Sequence, residues 1–200
     1  MTTEARRRGP RGPYAKSAER RAAIVEAASG VFAARGYRAG SFQEVADVVG
    51  MSQTSLLHYF PSKQALLLAV LDHRDSLLGG SVQRTPGPDF RTGVLRQAEY
   101  NSGVPGLIEL YSVLAGEAAT QDHPGRAWFI ERFTTLRGNY EAEFQALKDA
   151  GRLRDGIDPA RAAAGFVALW DGIQLQWLLD PEAVDVVAVL RDHLDLVILP

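Results

Sequence analysis

The 200-residue chain contains no cysteine, which excludes disulfide scaffolds, thiolate metal sites and cysteine nucleophiles. A hydrophobic content of 46% is enough to build a buried core, in one domain or in two small ones. Because no segment has the apolar character of a signal peptide or the length of a membrane span, we expect a soluble cytoplasmic protein.

The formal net charge of −2 hides an uneven distribution of charge along the chain. Residues 1–63 hold ten basic and five acidic residues, whereas the remainder holds twelve basic and nineteen acidic ones. A basic N-terminal part followed by an acidic remainder indicates that only the N-terminal part contacts a polyanion. The first segment, MTTEARRRGPRGPYAK (1–16), has no periodicity and predicts a disordered basic arm. A solvated tail without a partner remains the alternative.

Two helices are predicted after the arm, each with its own capping signals. Ser17 is a candidate N-cap of the first helix, and Gly36 is a residue at which it can end. The buried face of that helix is formed by Ile24, Ala27, Ala28, Val31 and Phe32. Ser41 and Glu44 have the spacing of a capping box, which predicts the start of the second helix.

A third, short helix follows a tight turn, which is the pattern of a helix-turn-helix. Ser52 is its expected N-cap, Leu56 and Phe60 form its buried face, and Pro61 ends it. The opposite side carries Gln53, Thr54, Ser55, Leu57 and His58. Such a face suits insertion into the major groove of DNA. An ordinary amphipathic helix has the same pattern, but the arm, the charge split and the capping box favour DNA.

The segment from Arg20 to Leu71 resembles the N-terminal domain of TetR-family transcriptional repressors. The resemblance is most specific in HYFPSKQALL, where members of the family have an aromatic cluster, a short break, a lysine and paired apolar residues. The family often has a tyrosine where this chain has Leu57, which leaves an apolar contact there, such as one to a thymine methyl group. The resemblance implies a homodimer whose recognition helices enter successive major grooves, and a small ligand that releases the DNA.

On that basis, the DNA-binding residues fall into three groups. Those expected at base edges are Gln53, Thr54, Ser55 and His58, with Ser52 and Leu57 beside them. Those expected at phosphates are Ser41, Tyr59 and Lys63, although Tyr59 is also consistent with a partly packed aromatic. Those expected in the minor groove are Arg6, Arg7, Arg8 and Arg11, for which a charge that never becomes ordered is an equal alternative.

The rest of the chain is predicted to be helical as well. Ser62 can cap a fourth helix, and the Gly/Pro-rich stretch Leu77–Phe90 is expected to be a loop. Further helices are predicted over 89–101, 105–121, 125–150, 159–179 and 182–198. We therefore expect an all-α protein of about nine helices. A helix-turn-helix domain over 17–62 would precede a ligand-binding and dimerisation domain over 63–200.

The larger domain is rich in big apolar side chains, most of which must be ordinary core. A ligand pocket in a helical domain is also apolar, with a few polar groups converging on it. The candidate pocket residues are Tyr100, Asn101, Leu107, Tyr111, Leu114, Trp128, Phe129, Phe133, Phe166, Trp170 and Gln174. Glu117 and His123 are further polar candidates. We expect a small, mostly apolar effector and no cofactor.

The last two predicted helices are apolar on more than one face, which suits a four-helix bundle between two subunits. They are equally able to close the core of one chain, and the family resemblance favours the dimer. The candidate interface residues are Ala163, Val167, Trp170, Val186, Val189, Leu190, His193, Leu194 and Val197.

Two other classes of function have less support from the sequence. An enzyme has little support, because the four histidines lack metal-ligand spacing and no phosphate-binding or nucleophile motif occurs. A helical adaptor that binds protein instead of DNA is the alternative, and its binding would depend little on salt. We expect neither a metal site nor a membrane partner.

Overall fold

The computed structural model of this chain describes residues 13–77 and 90–199, which form nine α-helices. These are α1 (Pro13–Ala39), α2 (Phe42–Val48), α3 (Gln53–Leu57), α4 (Lys63–Leu77), α5 (Phe90–Ser102), α6 (Pro105–Ala118), α7 (Arg126–Asp149), α8 (Pro159–Leu179) and α9 (Val186–Val197). The predicted all-α class is confirmed. Arg6, Arg7, Arg8 and Arg11 of the predicted arm lie outside the described residues, as does most of the predicted loop Leu77–Phe90.

The first helix starts earlier than its sequence predicted. It begins at Pro13, so Ser17 lies inside the helix and is not its N-cap, and residues 13–16 of the predicted arm are helical. Proline is well suited to a first helical turn, because the N–H that it lacks would have no partner there. The predicted break at Gly36 occurs as a kink with φ 70° and ψ 174°, after which the helix continues to Ala39.

Side-chain caps determine where the next two helices begin. The Ser41 Oγ accepts a hydrogen bond from Glu44 N at 3.0 Å, and Glu44 Oε2 accepts one from Ser41 N at 2.7 Å, which confirms the capping box. The Ser52 Oγ accepts from Ser55 N at 3.1 Å, which confirms the predicted cap of α3. The local sequence therefore determines where α2 and α3 begin.

The end of α3 differs from its prediction. The helix ends at Leu57 with His58 as its C-cap, and does not reach Phe60. The N–H groups of Tyr59 and Phe60 both donate to the carbonyl oxygen of Leu56, at 2.9 and 3.0 Å. Because Pro61 disfavours a helical conformation in the residue before it, the chain turns away at this point.

Two hydrophobic clusters support the described part of the chain. The first lies beneath α1–α4 and extends into α6 and α7, and the second is built from α5, α7, α8 and α9. The four helices α1–α4 form the part that we call the head, and α5–α9 form the body. The domain boundary at residue 62 stays a prediction. Among the described residues, no helix is long and apolar enough to cross a membrane.

The helices of the body follow their predictions closely, except at the last one. The final helix begins at Val186 and not at residue 182, because the Asp185 side chain caps it by accepting from Ala188 N at 2.9 Å. Leu153 and Ile198 form an antiparallel bridge between the α7–α8 turn and the residue that follows α9. The end of α9 is thereby held against the body.

Candidate nucleic-acid interface

The short helix α3 presents a continuous polar surface to solvent. Leu56 and Phe60, with exposures of 0% and 1%, hold it against the core of the head. The exposed side chains are Gln53, Thr54, Ser55, Leu57 and His58, which we call the reading face. Leu57 exposes 44% of its surface and therefore contributes little to the core. Five of the predicted base-edge positions thus lie on one accessible surface.

Ser52, the sixth of those positions, has a second role within the chain. Its Oγ lies 2.9 Å from the Oγ of Ser55 and also caps the helix. Both side chains are exposed. Each hydroxyl retains hydrogen-bonding capacity, because an –OH offers one donor and two acceptor positions. The contact orders the first turn of the reading face.

All three predicted phosphate contacts are half-buried and are held by other groups of the head. Lys63 Nζ donates to the carbonyl oxygen of Arg38 at 3.3 Å and lies 4.5 Å from the centre of the Tyr37 ring. Burial is the main cause of a lowered pKa for Lys63. The Tyr59 ring packs against the first hydrophobic cluster. Ser41 is half-buried at the start of α2, where its hydroxyl forms the capping box.

Arg21 is an exposed cation next to the reading face that the sequence analysis missed. Its Nη1 donates to the carbonyl oxygen of Tyr59 at 3.3 Å, and its guanidinium lies 4.0 Å from the centre of the Phe60 ring. A guanidinium stacked on an aromatic ring keeps donors available for a phosphate. No local pattern reveals this position, because its partners Tyr59 and Phe60 follow α3, far along the sequence.

The head and the body are joined by a carboxylate, Glu117, near the end of α6. Its Oε2 accepts a hydrogen bond from Tyr37 N at 2.6 Å, and its Oε1 accepts from Arg38 N at 3.3 Å. These two N–H groups become available because the kink at Gly36 turns them out of the helix. A Cβ on Gly36 would lie 2.5 Å from Glu117 Oε1. We call this group, together with His123, the junction.

His123 supports the junction from the body side. Its Nδ1 accepts from Gly125 N at 3.2 Å, which places the proton of the neutral ring on Nε2. That Nε2 lies 3.7 Å from Glu117 Oε2, and the ring meets Tyr37 edge-on at 5.2 Å. Burial lowers the pKa of His123 and favours this neutral form. Glu117 and His123, the two further polar candidates for a ligand pocket, thus lie at the junction.

The predicted pocket residues do not share one lining. Tyr111, Leu114 and Phe129 are buried in the first hydrophobic cluster, with Trp128 and Phe133 packed against it. The second cluster contains Phe166, with Trp170 against it, while Asn101 and Gln174 are buried and Leu107 is half-buried. Tyr100 exposes 49% of its surface and belongs to neither cluster. Tyr100 is a pocket candidate only by residue type, because the sequence does not determine which side of α5 faces the core.

Between α4, α6, α7 and α8 lies a group of buried and half-buried polar side chains that the sequence did not reveal. It consists of Arg74, Asp75, Tyr111, Arg132 and Asp171, which we call the polar centre. Arg132 forms an ion pair with Asp75. The Arg74 and Arg132 guanidinium groups lie 4.2 and 5.5 Å from the centre of the Tyr111 ring. Burial lowers the pKa of each arginine to about 10, and raises that of Asp171 to about 6.

Comparison with known families relates both halves of the chain to the same group of proteins. The model described as "Bacterial regulatory proteins, tetR family" matches residues 24–70, which include the whole reading face. The model described as "BetI-type transcriptional repressor, C-terminal" matches residues 113–199. The chain belongs to the TetR family. Members of the TetR family are ligand-responsive, DNA-binding repressors or activators of transcription.

Individual relatives within the TetR family resemble this chain to different extents. The transcriptional activator FasR of Mycolicibacterium smegmatis is 47% identical over 75 residues, which cover 37% of this chain and 33% of FasR. The chain therefore spans about a third of that relative. The regulator BetI of Rhizobium meliloti is 27% identical over 188 residues, covering 88% of each protein. A solved SmeT–triclosan complex has a TM-score of 0.73 at 18% identity, covering 90% of this chain and 92% of SmeT.

In this TetR-family chain, most of the predicted dimer residues contribute to the core of a single subunit. Ala163, Val167, Val186, Leu190 and Leu194 are buried by the chain's own helices, and Trp170, Val189, His193 and Val197 are half-buried. The exposed residues of α8 include Gly165, Ala168, Leu175 and Leu179, with Gly172 half-buried between them. These positions recur at intervals of three and four residues and so share one helix face, which we call the α8 face.

Proposed function

We propose that this chain is a transcriptional repressor that binds a palindromic operator as a homodimer and is released by a small, mostly apolar effector. The main support for the proposal is the reading face, which is exposed to solvent. The buried side chains of Leu56 and Phe60 anchor α3 so that this face points outward. A short helix of this kind presents its side chains at the depth of the major groove. Repression is favoured over activation by the match of residues 113–199 to a repressor model.

The α8 face supports the homodimer. Leu175 and Leu179 expose 51% and 80% of their surfaces, on the same side of α8 as Gly165 and Ala168. Small residues at these spacings allow a second helix to approach closely, and exposed leucines beside them gain from being covered. Two identical heads related by a twofold axis would read inverted half-sites, which is why we expect a palindromic operator.

The coupling between effector and operator is proposed to run through α4 and the junction. The fourth helix begins directly after Pro61 and α3, and it contacts α7 through the ion pair of Asp75 with Arg132. Trp128 Nε1 of α7 also donates to Asp72 Oδ1 at 2.8 Å. A ligand that prefers one arrangement of these helices would change the spacing of the two heads. The SmeT–triclosan complex shows that a protein of this fold is able to hold a small aromatic molecule.

The direct test is to select the bound site from random DNA and then to measure variants of the reading face. His58→Ala and Gln53→Ala should each weaken binding to the selected operator by roughly 1–3 kcal/mol and relax the preference at one base position. Binding is measured by fluorescence anisotropy against the operator and against a scrambled duplex. The matched control is Gln145→Ala, an exposed glutamine on α7 in the body, which should change neither affinity.

Equal weakening on both duplexes would show that these side chains do not read bases. Failure of the selection to enrich any palindrome would contradict the proposed operator. The protein-binding adaptor predicts association that depends little on salt, whereas operator affinity should fall steeply as salt increases, because phosphate contacts release counterions.

The N-terminal arm supplies a separate prediction. Deletion of residues 1–12 removes Arg6, Arg7, Arg8 and Arg11 and leaves α1 intact. Operator affinity should fall, and the slope of log affinity against log salt should decrease by about 0.9 for each arginine that contacts a phosphate. The measurement is a series of operator titrations at increasing salt. An unchanged slope would mean that the arm makes no phosphate contact.

A further inference from the structure

The polar centre contains a buried guanidinium that uses few of its donors. Arg74 exposes 4% of its surface, and its Nε donates to the carbonyl oxygen of Leu107 at 3.4 Å. In the part of the chain that the structure describes, nothing accepts a hydrogen bond from Arg74 Nη1. Asp75 Oδ1 lies 3.9 Å from this atom, which is too far for a hydrogen bond. With a pKa of about 10, Arg74 is charged at neutral pH.

A second buried donor lies beside the first. Tyr111 exposes 5% of its surface, and its ring lies beneath the Arg74 guanidinium at 4.2 Å. Its hydroxyl also has no hydrogen-bond partner within residues 13–77 and 90–199. Burial raises the pKa of Tyr111, so the hydroxyl keeps its proton and acts as a donor. Buried polar groups in folded proteins nearly always have partners, so two adjacent donors of this kind indicate an acceptor from outside the chain.

The carboxyl groups of the polar centre do not supply that acceptor. Asp75 is paired with Arg132. Asp171 on α8 interacts electrostatically with Arg74 and Arg132, yet neither free donor has it as a hydrogen-bond partner. Burial raises the pKa of Asp171 to about 6, so this group takes up a proton more readily than an exposed aspartate when another anion approaches. Arg74 Nη1 and the Tyr111 hydroxyl therefore have no acceptor among the described residues.

We propose that the polar centre binds the acidic head group of the effector, a carboxylate whose oxygens accept from Arg74 Nη1 and the Tyr111 hydroxyl. A carboxylate matches the planar, forked donors of a guanidinium better than a neutral oxygen does. The Phe129 ring lies 5.4 Å from the Tyr111 ring and supplies an apolar wall for the rest of the ligand. The ligand class is thus an amphipathic carboxylic acid with an apolar body.

This assignment depends on the proposed function and specifies its effector. Arg74 belongs to α4, which continues from the reading face through Pro61, and Tyr111 belongs to α6, which carries the junction residue Glu117. A carboxylate bound between them would join the two helices that connect the body to the head. Ligand binding at the polar centre would therefore act on α4 and α6 together, and a change in their spacing would move the head.

The test uses the full-length protein and matched pairs of probes. Octanoate and 4-phenylbutyrate are titrated by calorimetry, and octanamide and 4-phenylbutyramide serve as uncharged analogues of the same shape. At least one acid should bind about tenfold or more tightly than its amide, since a charge-assisted hydrogen bond is stronger than a neutral one. Tyr111→Phe and Arg74→Met should each remove most of that difference. Tyr100→Phe, at an exposed tyrosine of α5, should leave it unchanged.

The two substitutions differ in the risk that they pose to folding. Tyr111→Phe removes one buried hydroxyl without a partner and should leave thermal stability unchanged or increased, so its effect on binding reports on the ligand.

Amides that bind as well as the acids, acids that do not bind at all, or a Tyr111→Phe variant with unchanged acid affinity would each overturn the assignment. Operator binding is measured separately on the same protein. Its loss would refute the proposed function, whereas intact operator binding without acid binding refutes the assignment alone.

Discussion

Replacement of Gly36 by alanine should lower the free energy of unfolding by about 3 kcal/mol and weaken operator binding. A residue with a Cβ pays roughly 1–3 kcal/mol for the conformation that Gly36 adopts at φ 70° and ψ 174°, which is almost exclusive to glycine. The added Cβ would also lie 2.5 Å from Glu117 Oε1 and displace this carboxylate from two backbone N–H groups. Each lost hydrogen bond to a buried or charged group costs about 1 kcal/mol.

The matched control for this variant lies on the same helix. Gly30 is exposed, and a Cβ there would meet no atom within 4 Å. Gly30→Ala should therefore stabilise the protein by up to about 1 kcal/mol, because alanine favours a helix over glycine. Urea denaturation followed by circular dichroism measures both variants. If Gly36→Ala were as stable as the natural protein, the junction would not hold the head against the body.

The second large effect is expected at the α8 face. Leu175→Glu should convert the dimer into monomers and weaken operator binding by about a hundredfold or more, because two linked heads gain that much over one. The reason is that a carboxylate at Leu175, which exposes 51% of its surface in a single subunit, would be buried without a partner in the dimer. Sedimentation equilibrium measures the subunit mass, and anisotropy measures operator affinity.

Gln145→Glu is the control for Leu175→Glu. It adds the same charge at an exposed position of α7, which is not part of the α8 face. This variant should remain dimeric. A Leu175→Glu protein that is folded and still dimeric would place the interface elsewhere. Leu194→Glu is unsuitable as a test, because Leu194 is fully buried within one subunit and a charge there would disrupt that subunit's core.

Much of the fold follows from short-range patterns in the sequence. The caps formed by Ser41, Ser52 and Ser62 were predicted and are present, since a capping hydroxyl bonds to a backbone group only two or three residues away. The buried face of α1 was predicted from its apolar spacing, and Ile24, Ala28 and Phe32 are buried. The reading face was also predictable, because the two buried positions Leu56 and Phe60 determine which side of α3 faces solvent.

Residue type and apolar spacing do not determine which side of a helix in the body faces the core. Tyr100, a predicted pocket residue, is exposed, while Leu190 and Leu194, predicted interface residues, are buried in one subunit. An apolar stripe has the same spacing whether it faces a neighbouring helix of the same chain or a second copy. The sequence pattern alone therefore does not distinguish the two.

The sequence was sufficient to specify local features of this TetR-family protein: helix caps, breaks at Gly36 and Pro61, and the polar side of α3. Each of these depends on groups within one or two helical turns of each other. Folding of the whole chain was required to bring Glu117 to the Tyr37 N–H, 80 residues away in sequence, and to gather the polar centre from four helices. Contacts of that range depend on how helices cross and rotate, and no local pattern of residues encodes those angles.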